Sequence, residues 1–207
     1  MAGTQTISPV LECSGFSYSI GRKSILKNVS FSVFPGEALL VRGRNGAGKT
    51  TLLRSVLHHG KFGSNFRFQS QAHPKISYLG HELGLYTTLS LEENLEYFRG
   101  ISGTFRDSSE IETWLKEFRL WNRRNDPVSS YSRGMKQKAA VIRTLAPVSD
   151  LYLLDEPLTA LDGEGAIAAK TLLESVCRES AMLLVTHDPS FVLRVPTGIL
   201  ELGEPNK

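Results

Sequence analysis

Residues 43–51 read Gly43-Arg44-Asn45-Gly46-Ala47-Gly48-Lys49-Thr50-Thr51. The first eight match the pattern G-x-x-x-x-G-K-[ST] at every fixed position, which is typical of a turn that connects a buried strand to a helix. A continuously apolar run at 38–41 precedes the motif, as a buried strand would. Apolar side chains of the predicted helix follow it at Leu52, Leu53, Val56 and Leu57. We therefore predict a strand, a glycine-rich turn and a helix in that order.

This turn has the chemistry of a phosphate-binding loop. Its glycines let the backbone wrap closely around phosphate oxygens, and the N–H groups at the start of the helix attract anions. Lys49 would reach the β- and γ-phosphates of a nucleotide, and the Thr50 hydroxyl would ligate Mg²⁺. The alternative is a glycine-rich turn that merely precedes a lysine, but the flanking strand and helix patterns argue against it. Residues 43–51 are therefore predicted to bind nucleotide phosphates together with Mg²⁺.

The rest of the chain predicts an α/β fold. Two more apolar runs, at 151–154 and 182–185, have the pattern of strands that are buried on both faces. Residues 29–33 instead alternate between apolar and polar, which is typical of a half-buried antiparallel strand. Helical patterns lie at 109–121, 133–145 and 162–178. Buried strands that are separated by helices favour a parallel sheet with crossover connections.

One segment differs from this alternation. Residues 82–140 are polar and helix-prone, and they contain no run typical of a buried strand. We therefore predict a helical subdomain at 82–140, inserted into an α/β core that is formed by 1–81 and 141–207. The length of 207 residues suits a single domain, 1–207, with such an insertion.

An acidic pair, Asp155-Glu156, directly follows the apolar run at 151–154. Open α/β sheets bind their ligands at the carboxyl ends of the strands, where this pair would lie. Asp155 could hold Mg²⁺, and Glu156 could orient and polarise a water that attacks a γ-phosphate. Such a pair can also be no more than a solvated strand end. Its combination with the phosphate-binding loop favours the catalytic interpretation.

Composition and charge exclude several classes of protein. Hydrophobic residues make up 41% of the chain, which is enough for a packed core and excludes a disordered or fibrous protein. The longest apolar run, 181–185, has five residues, against the roughly 18 of a membrane-spanning helix, and residues 1–10 show no signal peptide. A net charge of +3 neither requires nor excludes a polyanion, and we expect no nucleic-acid partner. Cys13 and Cys177 are predicted to be buried hydrophobes without a disulfide.

Together these motifs resemble the ATP-binding subunits of ABC transporters, along nearly the whole chain. The resemblance implies a P-loop NTPase (RecA-like) core with an N-terminal antiparallel β-subdomain and an inserted helical signature subdomain. It also implies ATP hydrolysis, with Lys49 and Glu156 in catalytic roles. Residues 131–135, Tyr-Ser-Arg-Gly-Met, look like the signature motif that is usually written L-S-G-G-Q. The retained Ser132 and Gly134 would contact the γ-phosphate of ATP on a partner subunit.

Three further matches follow the order of the family's motifs. His187, after the last buried strand, resembles the switch histidine that acts in catalysis, and Tyr18 resembles the aromatic residue that stacks on adenine. Leu161-Asp162 resembles the D-loop. Each match has an alternative. Tyr18 could pack within a sheet, Ser132 and Asp162 could cap helices, and His187 could be a hydrogen-bonded loop residue.

The chain departs from the family at two places. His81, in Gly80-His81-Glu82, stands where the family has the glutamine of the Q-loop. Its imidazole could contact a water on Mg²⁺ or a phosphate oxygen, so His81 is a candidate at the metal; a plain loop histidine is the alternative. In the signature motif, Arg133 and Met135 replace a glycine and a glutamine.

These departures bear on the subfamily. Gly80-His81, with Gly84-Leu85 and Glu93-Asn94-Leu95, is similar to the ATPase subunit of the cytochrome c maturation haem exporter. Residues 131–137 are more similar to ATPases of other ABC-2 type exporters of lipids, polysaccharides or drugs, and a soluble ABC assembly ATPase is a third alternative. The resemblance implies an ATP-dependent head-to-tail dimer and integral-membrane permease subunits on separate chains. It places the subunit peripherally on the cytoplasmic face of the inner membrane.

Overall fold

The computed structural model describes residues 8–69, 74–188 and 190–203. Their strands are β1 Leu11–Ile20, β2 Lys23–Val33, β3 Ala38–Arg42, β4 Phe66–Phe68, β5 Ile76–Leu79, β6 Leu151–Asp155, β7 Ala181–Val185 and β8 Thr197–Glu201. Their α-helices are α1 Lys49–Leu57, α2 Leu91–Ser102, α3 Ser108–Glu117, α4 Arg133–Leu145 and α5 Gly163–Cys177. Short 3₁₀ turns lie at His59–Lys61, Gly63–Asn65, Trp121–Arg123 and Val128–Ser130. Most of the segment in which we looked for a signal peptide lies outside the described residues.

The first sheet is antiparallel, with strand order β2-β1-β4. Its register places Leu11 opposite Val33 on β2 and opposite Phe68 on β4. The alternating segment 29–33 forms the end of β2, so the predicted antiparallel strand is confirmed. Alternation arises because successive side chains of a strand point to opposite faces, and one face of this sheet is buried.

The second sheet is parallel, with strand order β5-β6-β7-β3-β8. The three predicted buried strands are its three inner strands, β3, β6 and β7. Their side chains are buried on both faces, which explains the uninterrupted apolar runs. The edge strands β5 and β8 carry half-buried or exposed residues, so their sequences lack that signal.

The helices follow the predicted order with one correction. Helix α4 has the predicted bounds, and α5 differs from its prediction by one residue at each end. Helix α3 ends at Glu117 rather than at 121, because Arg119 adopts a left-handed backbone with φ 57° and breaks the helix. The apolar spacing extends past this point since Phe118 and Leu120 are both buried. The apolar spacing therefore predicted correctly which residues are buried, but it placed the end of the helix too late.

Two apolar clusters form the core. One contains side chains of α2 to α5 together with one face of the parallel sheet, including Leu95, Leu145 and Leu154. The other joins the two sheets around α1 and includes Leu53, Val33 and Leu153. Helix α4 belongs to the first cluster and crosses position 140, so the helical segment shares that helix with the sheet. The division at 82 and 140 stays a prediction.

Within the described residues, no helix combines the length and apolar character that crossing a bilayer requires. The longest of these helices, α5, has 15 residues. Both cysteines are buried and neither forms a disulfide, and burial raises the pKa of Cys13 to about 11 and that of Cys177 to about 12. Their thiols are accordingly protonated at neutral pH.

Candidate nucleotide site

The turn between β3 and α1 requires glycine at two positions. Gly43 has φ 142°, and a Cβ atom there would lie 2.6 Å from the carbonyl oxygen of Leu202. Gly48 has φ 93°, and its Cβ would lie 2.8 Å from Leu26 Cδ2. Helix α1 begins directly after Gly48 and no side chain caps it. Its first N–H groups therefore remain available to an anion, as at other phosphate-binding helix ends.

Lys49 and Thr50 lie at the closed end of this turn. Lys49 is buried, and its Nζ donates hydrogen bonds to the carbonyls of Gly43 at 2.8 Å and Arg44 at 3.1 Å. The Thr50 hydroxyl donates to Asp155 Oδ2 at 2.6 Å. The phosphate-binding loop and the acidic pair are thus joined by a direct hydrogen bond between residues 105 positions apart.

Three loops meet beside this turn because their strands are neighbours in the sheet. Strand β5 leads to His81, β6 leads to Asp155 and Glu156, and β7 leads to His187. Parallel strands place all their carboxyl ends at one edge, which brings these side chains together. The strand order β5-β6-β7 therefore builds the site from residues distant in sequence.

Glu156 lies in an unusual local environment. Its backbone is left-handed, with φ 55°, and its N–H donates to the carbonyl of Val185 at 3.0 Å. Burial raises the pKa of Glu156, while the charges of His187 and Lys49 oppose that rise. His187 Nε2 lies 3.1 Å from Glu156 Oε1 without hydrogen-bond alignment, so this oxygen is an acceptor without a partner in the described part of the chain. Strained backbone and a perturbed carboxyl are typical of active sites.

The residues present fit Mg²⁺ in part. Thr50 Oγ1 and Asp155 Oδ2 are oxygen donors, which Mg²⁺ prefers, and few protein ligands suffice when phosphates and waters complete its shell. The exposed His81 places Nε2 3.7 Å from the same Asp155 oxygen. An imidazole suits a water on Mg²⁺ better than the metal itself. Among the described residues, no three His, Cys, Asp or Glu side chains form a metal cluster of their own.

A cavity of about 500 Å³ brings most of the predicted residues together. The loop residues that line it are Asn45, Gly46, Gly48, Lys49, Thr50 and Thr51, and the residues from the strand ends are His81, Asp155, Glu156, Val185 and His187. Lys23 and Ile25 of β2 also line it and were missed by the sequence reasoning. Their spacing of two puts both on one face of β2, but neither residue type indicates a nucleotide.

Six predicted residues do not line this cavity. Three of them are the loop residues Gly43, Arg44 and Ala47, and the other three are Tyr18, Ser132 and Gly134. Tyr18 packs against Phe16 and Phe62, with ring centroids 6.5 Å and 5.9 Å away. Ser132 caps α4 by accepting a hydrogen bond from the Met135 N–H at 3.2 Å. Gly134 follows Ser132 in the first turn of α4, where its Cβ would meet the carbonyl oxygen of Ala160 at 3.0 Å. The aromatic and signature assignments therefore remain predictions.

Asp162 also caps a helix. It accepts a hydrogen bond from the Gly165 N–H at 2.8 Å at the start of α5 and pairs with Lys138 on α4 at 3.2 Å. These contacts lower the pKa of Asp162. The capping alternative that the sequence left open is thus realised at both Ser132 and Asp162.

The arrangement can bind a triphosphate, place a divalent cation next to it and position a carboxylate near its end. Comparisons with known proteins agree with that chemistry. The family model described as ABC transporter matches residues 26–159. "Cytochrome c biogenesis ATP-binding export protein CcmA" of Vibrio vulnificus is 30% identical over 205 residues, which is 94% of this chain and 100% of that protein. "Probable metal transport system ATP-binding protein" of Thermotoga maritima is 31% identical over 200 residues, covering 94% and 81%.

Solved structures show the same architecture. The ATP-binding subunit of an ABC transporter superposes with a TM-score of 0.74 at 26% identity, covering 86% of this chain and 79% of that chain. An ABC transporter ATP-binding protein from Pyrococcus furiosus has a TM-score of 0.77 at 18% identity, covering 93% and 96%. The second likeness is evidence for the fold alone.

Proposed function

The chain belongs to the ABC transporter family as an ATP-binding subunit, and from this premise we propose that it hydrolyses ATP to power a membrane exporter. The observation that carries the proposal is the cavity in which the phosphate-binding loop meets Asp155, Glu156 and His187. Phosphoryl transfer depends chiefly on positioning and charge stabilisation, and this cavity offers groups for both.

Residues of the loop would bind and orient the nucleotide. Backbone N–H groups of 43–51 and the Lys49 ammonium would hold the β- and γ-phosphates. Thr50 and Asp155 would hold Mg²⁺, and His81 would contact a water of its shell. When bound, Mg²⁺ supplies neutralisation of the charge that develops on the phosphate oxygens.

Glu156 would act on the attacking water. Its unpartnered Oε1 can accept a proton from a water whose oxygen forms the new bond to the γ-phosphorus, while the bond to the oxygen of ADP breaks. A raised pKa makes the carboxylate a stronger base for this step. His187, 3.1 Å from the same oxygen, would keep the water and carboxylate aligned.

A second subunit would complete each site. Ser132 is exposed and lies outside the nucleotide cavity of its own chain, so its hydroxyl, which caps α4, can also face a partner. In a head-to-tail pair, Ser132 and Gly134 of one copy would contact the γ-phosphate bound by the other. Two-fold symmetry makes both sites equivalent.

The membrane-spanning part would be supplied by permease subunits on separate chains, with this chain attached at the cytoplasmic face of the membrane. We propose haem export for cytochrome c maturation as the transport reaction. The names of the Vibrio relatives and the similarity around Gly80-His81 support it. The Thermotoga relative, which is 31% identical and is named for metal transport, favours a second candidate, the transport of another substrate.

Glu156→Gln tests the enzymatic part. We expect this variant to bind ATP with unchanged affinity and to lose ATP hydrolysis, because an amide cannot take the proton. Steady-state phosphate release and equilibrium ATP binding measure the two properties. Glu117→Gln, at an exposed position on α3, is the matched control and should hydrolyse ATP normally. Normal turnover by Glu156→Gln would contradict the proposed role.

Deletion of the gene tests the transport part. If the export reaction serves cytochrome c maturation, haem-stained c-type cytochromes should disappear from the deletion strain while b-type cytochromes remain. The wild-type gene should restore them, and the Glu156→Gln form should not. Normal c-type cytochromes in the deletion strain would favour the second candidate.

A further inference from the structure

Glu156 begins a turn whose backbone conformation is unfavourable on its own. The turn runs from 156 to 161, and two of its non-glycine residues are left-handed, Glu156 with φ 55° and Ala160 with φ 64°. Pro157 follows Glu156 directly, and a proline restricts the backbone of the residue before it. Such a conformation persists only where the surrounding structure fixes it. Contacts with other elements must therefore hold Glu156 in place.

Two backbone hydrogen bonds hold part of this turn. The Glu156 N–H donates to the carbonyl of Val185 at 3.0 Å, and the Thr159 N–H donates to the carbonyl of Glu156 at 3.1 Å. The first bond connects Glu156 to the end of β7, and the second closes the turn on itself. Neither of them engages the carbonyl of Pro157, which is a buried residue. A polar backbone group in the interior requires a hydrogen-bond partner.

A side chain of α4 provides that partner. Gln137 Nε2 donates a hydrogen bond to the carbonyl of Pro157 at 2.9 Å, between residues 20 positions apart. Gln137 is only 8% exposed, so water competes little for this bond. Removal of the amide would leave a buried carbonyl without its donor, which is costly. The position of Pro157, and with it that of Glu156, therefore depends on Gln137.

The start of α4 also packs closely against this turn. A Cβ atom at Gly134 would lie 3.0 Å from the carbonyl oxygen of Ala160. Lys138 Nζ lies 3.2 Å from the carboxylate of Asp162, just after the turn. Gln137 lies between these two contacts along the helix. Helix α4 is thus held at a defined distance from the turn, and the Gln137 side chain spans that distance.

The space beside Glu156 makes this contact important for the carboxylate. A cavity of about 380 Å³ lies there, and Glu156, Gln137, Thr159 and His187 are among the residues that line it. Its volume far exceeds the ~30 Å³ that one water occupies in the liquid. The carboxylate therefore has room to move if the turn is released. A displacement of about 1 Å at a reacting group can lower a rate about 100-fold.

We propose that Gln137 is a positioning residue for ATP hydrolysis, which holds the carboxylate of Glu156 at the γ-phosphate through the carbonyl of Pro157. The inference rests on the proposed ATP hydrolysis and adds a residue that acts on the carboxylate alone. Gln137 does not line the nucleotide cavity. Its loss should accordingly lower kcat and leave ATP binding unchanged.

Gln137→Met tests this role, because methionine has a similar length and no N–H donor. We expect kcat to fall about tenfold or more, while the KM and the equilibrium affinity for ATP stay within about twofold. Rates are expressed per ATP-binding protein, so partial unfolding cannot imitate the effect. Thr144→Val is the matched control, since it removes another buried hydrogen bond of α4, from the Thr144 hydroxyl to the carbonyl of Ala140 at 2.8 Å, and should leave kcat unchanged. A normal kcat in Gln137→Met would overturn the proposal.

A double-mutant cycle separates the positioning of Glu156 from a general displacement of α4. Glu156→Asp withdraws the carboxylate by one methylene, and its residual hydrolysis is measured in single turnovers. If Gln137 acts through this carboxylate, adding Gln137→Met to Glu156→Asp should lower the rate by less than about threefold more. Losses that multiply would show independent action and overturn the proposal. If the wild-type protein itself hydrolyses no ATP, the proposed function fails, and the role of Gln137 falls with it.

Discussion

At the scale of single residues, Glu156 shows how this site departs from a stable packed structure. It combines a left-handed backbone with a half-buried carboxylate whose Oε1 lacks a hydrogen-bond partner among the described residues. Each such backbone departure costs about 1–3 kcal/mol. Neither feature contributes to the core, so both are expected to have been retained for catalysis.

Glu156→Gln should therefore make the nucleotide-free chain more stable at pH 7. Burial raises the pKa of Glu156, so the folded state holds the proton more tightly than the unfolded state. The stability contributed by the protonated form is complete below the unfolded pKa of about 4.3 and is lost as the pH rises through the folded pKa. Urea denaturation of the variant and the wild type at pH 7 and at low pH measures the difference in their unfolding free energies. Equal stability of the variant and the wild type at pH 7 would refute the prediction.

His81 provides a second test at this scale. It is 67% exposed in its side chain and contacts Asp155 only at 3.7 Å, which leaves room for a glutamine amide of similar reach. We expect His81→Gln to retain most of the ATPase activity, within about threefold. The assay is steady-state hydrolysis at saturating Mg²⁺, with His58→Gln at an exposed position as the control. Complete loss would mean that the imidazole performs a step that an amide cannot.

At the scale of elements, Arg143 connects α4 to the loop that carries His81. Its guanidinium donates to the carbonyl of Tyr78 at 3.3 Å, before that loop, and to Leu83 at 2.5 Å, after it. It also lies 5.0 Å from the ring centroid of Phe98 on α2. Burial lowers the pKa of Arg143 to about 10, which leaves it charged at neutral pH. One side chain thereby holds two helices and both ends of a loop.

Arg143→Lys should destabilise the fold and slow hydrolysis. A single ammonium lacks the fork that reaches both carbonyls, so about 1–3 kcal/mol of unfolding free energy should be lost. The turnover number should fall as well, since the loop at His81 loses its anchor. Urea denaturation and hydrolysis at saturating ATP measure the two effects. Arg178→Lys, at an exposed position directly after α5, should change neither. Full activity in Arg143→Lys would show that hydrolysis does not depend on this anchor of the loop.

At the scale of the whole molecule, the proposed ATPase is a pair of chains. Glu156→Gln with ATP and Mg²⁺ should elute at about twice the mass of the nucleotide-free protein. Adding Ser132→Ala should abolish that shift, because the hydroxyl that would face the partner's ATP is lost. The alanine also removes the cap of α4 and costs about 1 kcal/mol of stability. Ser132→Asn preserves a cap on α4 and serves as the control for that loss of stability. A dimer that still forms with Ser132→Ala would contradict the model of the paired site.

Much of this molecule could be predicted from local sequence, and the exceptions have physical reasons. The phosphate-binding turn and the Asp155-Glu156 pair were recognisable because their spacing follows directly from the backbone geometry. The edge strand Ile76–Leu79 was not, since a four-residue, half-buried strand has no distinctive pattern. The hydrogen bond from Gln137 to the carbonyl of Pro157 depends on how α4 packs against the turn after β6. Contacts of that kind between distant residues are set by tertiary structure, which one sequence does not specify pair by pair.

Helix α1 starts at the nucleotide site and packs in the core that joins the two sheets. A ligand bound at the first turn of α1 therefore also stabilises the contact between the two sheets. A ligand present at 100 times its dissociation constant adds about 2.7 kcal/mol to the unfolding free energy, a large part of a typical total. In a cell depleted of ATP, this subunit would unfold more often and be degraded sooner. Nucleotide supply would then govern how long the protein persists as well as how fast it works.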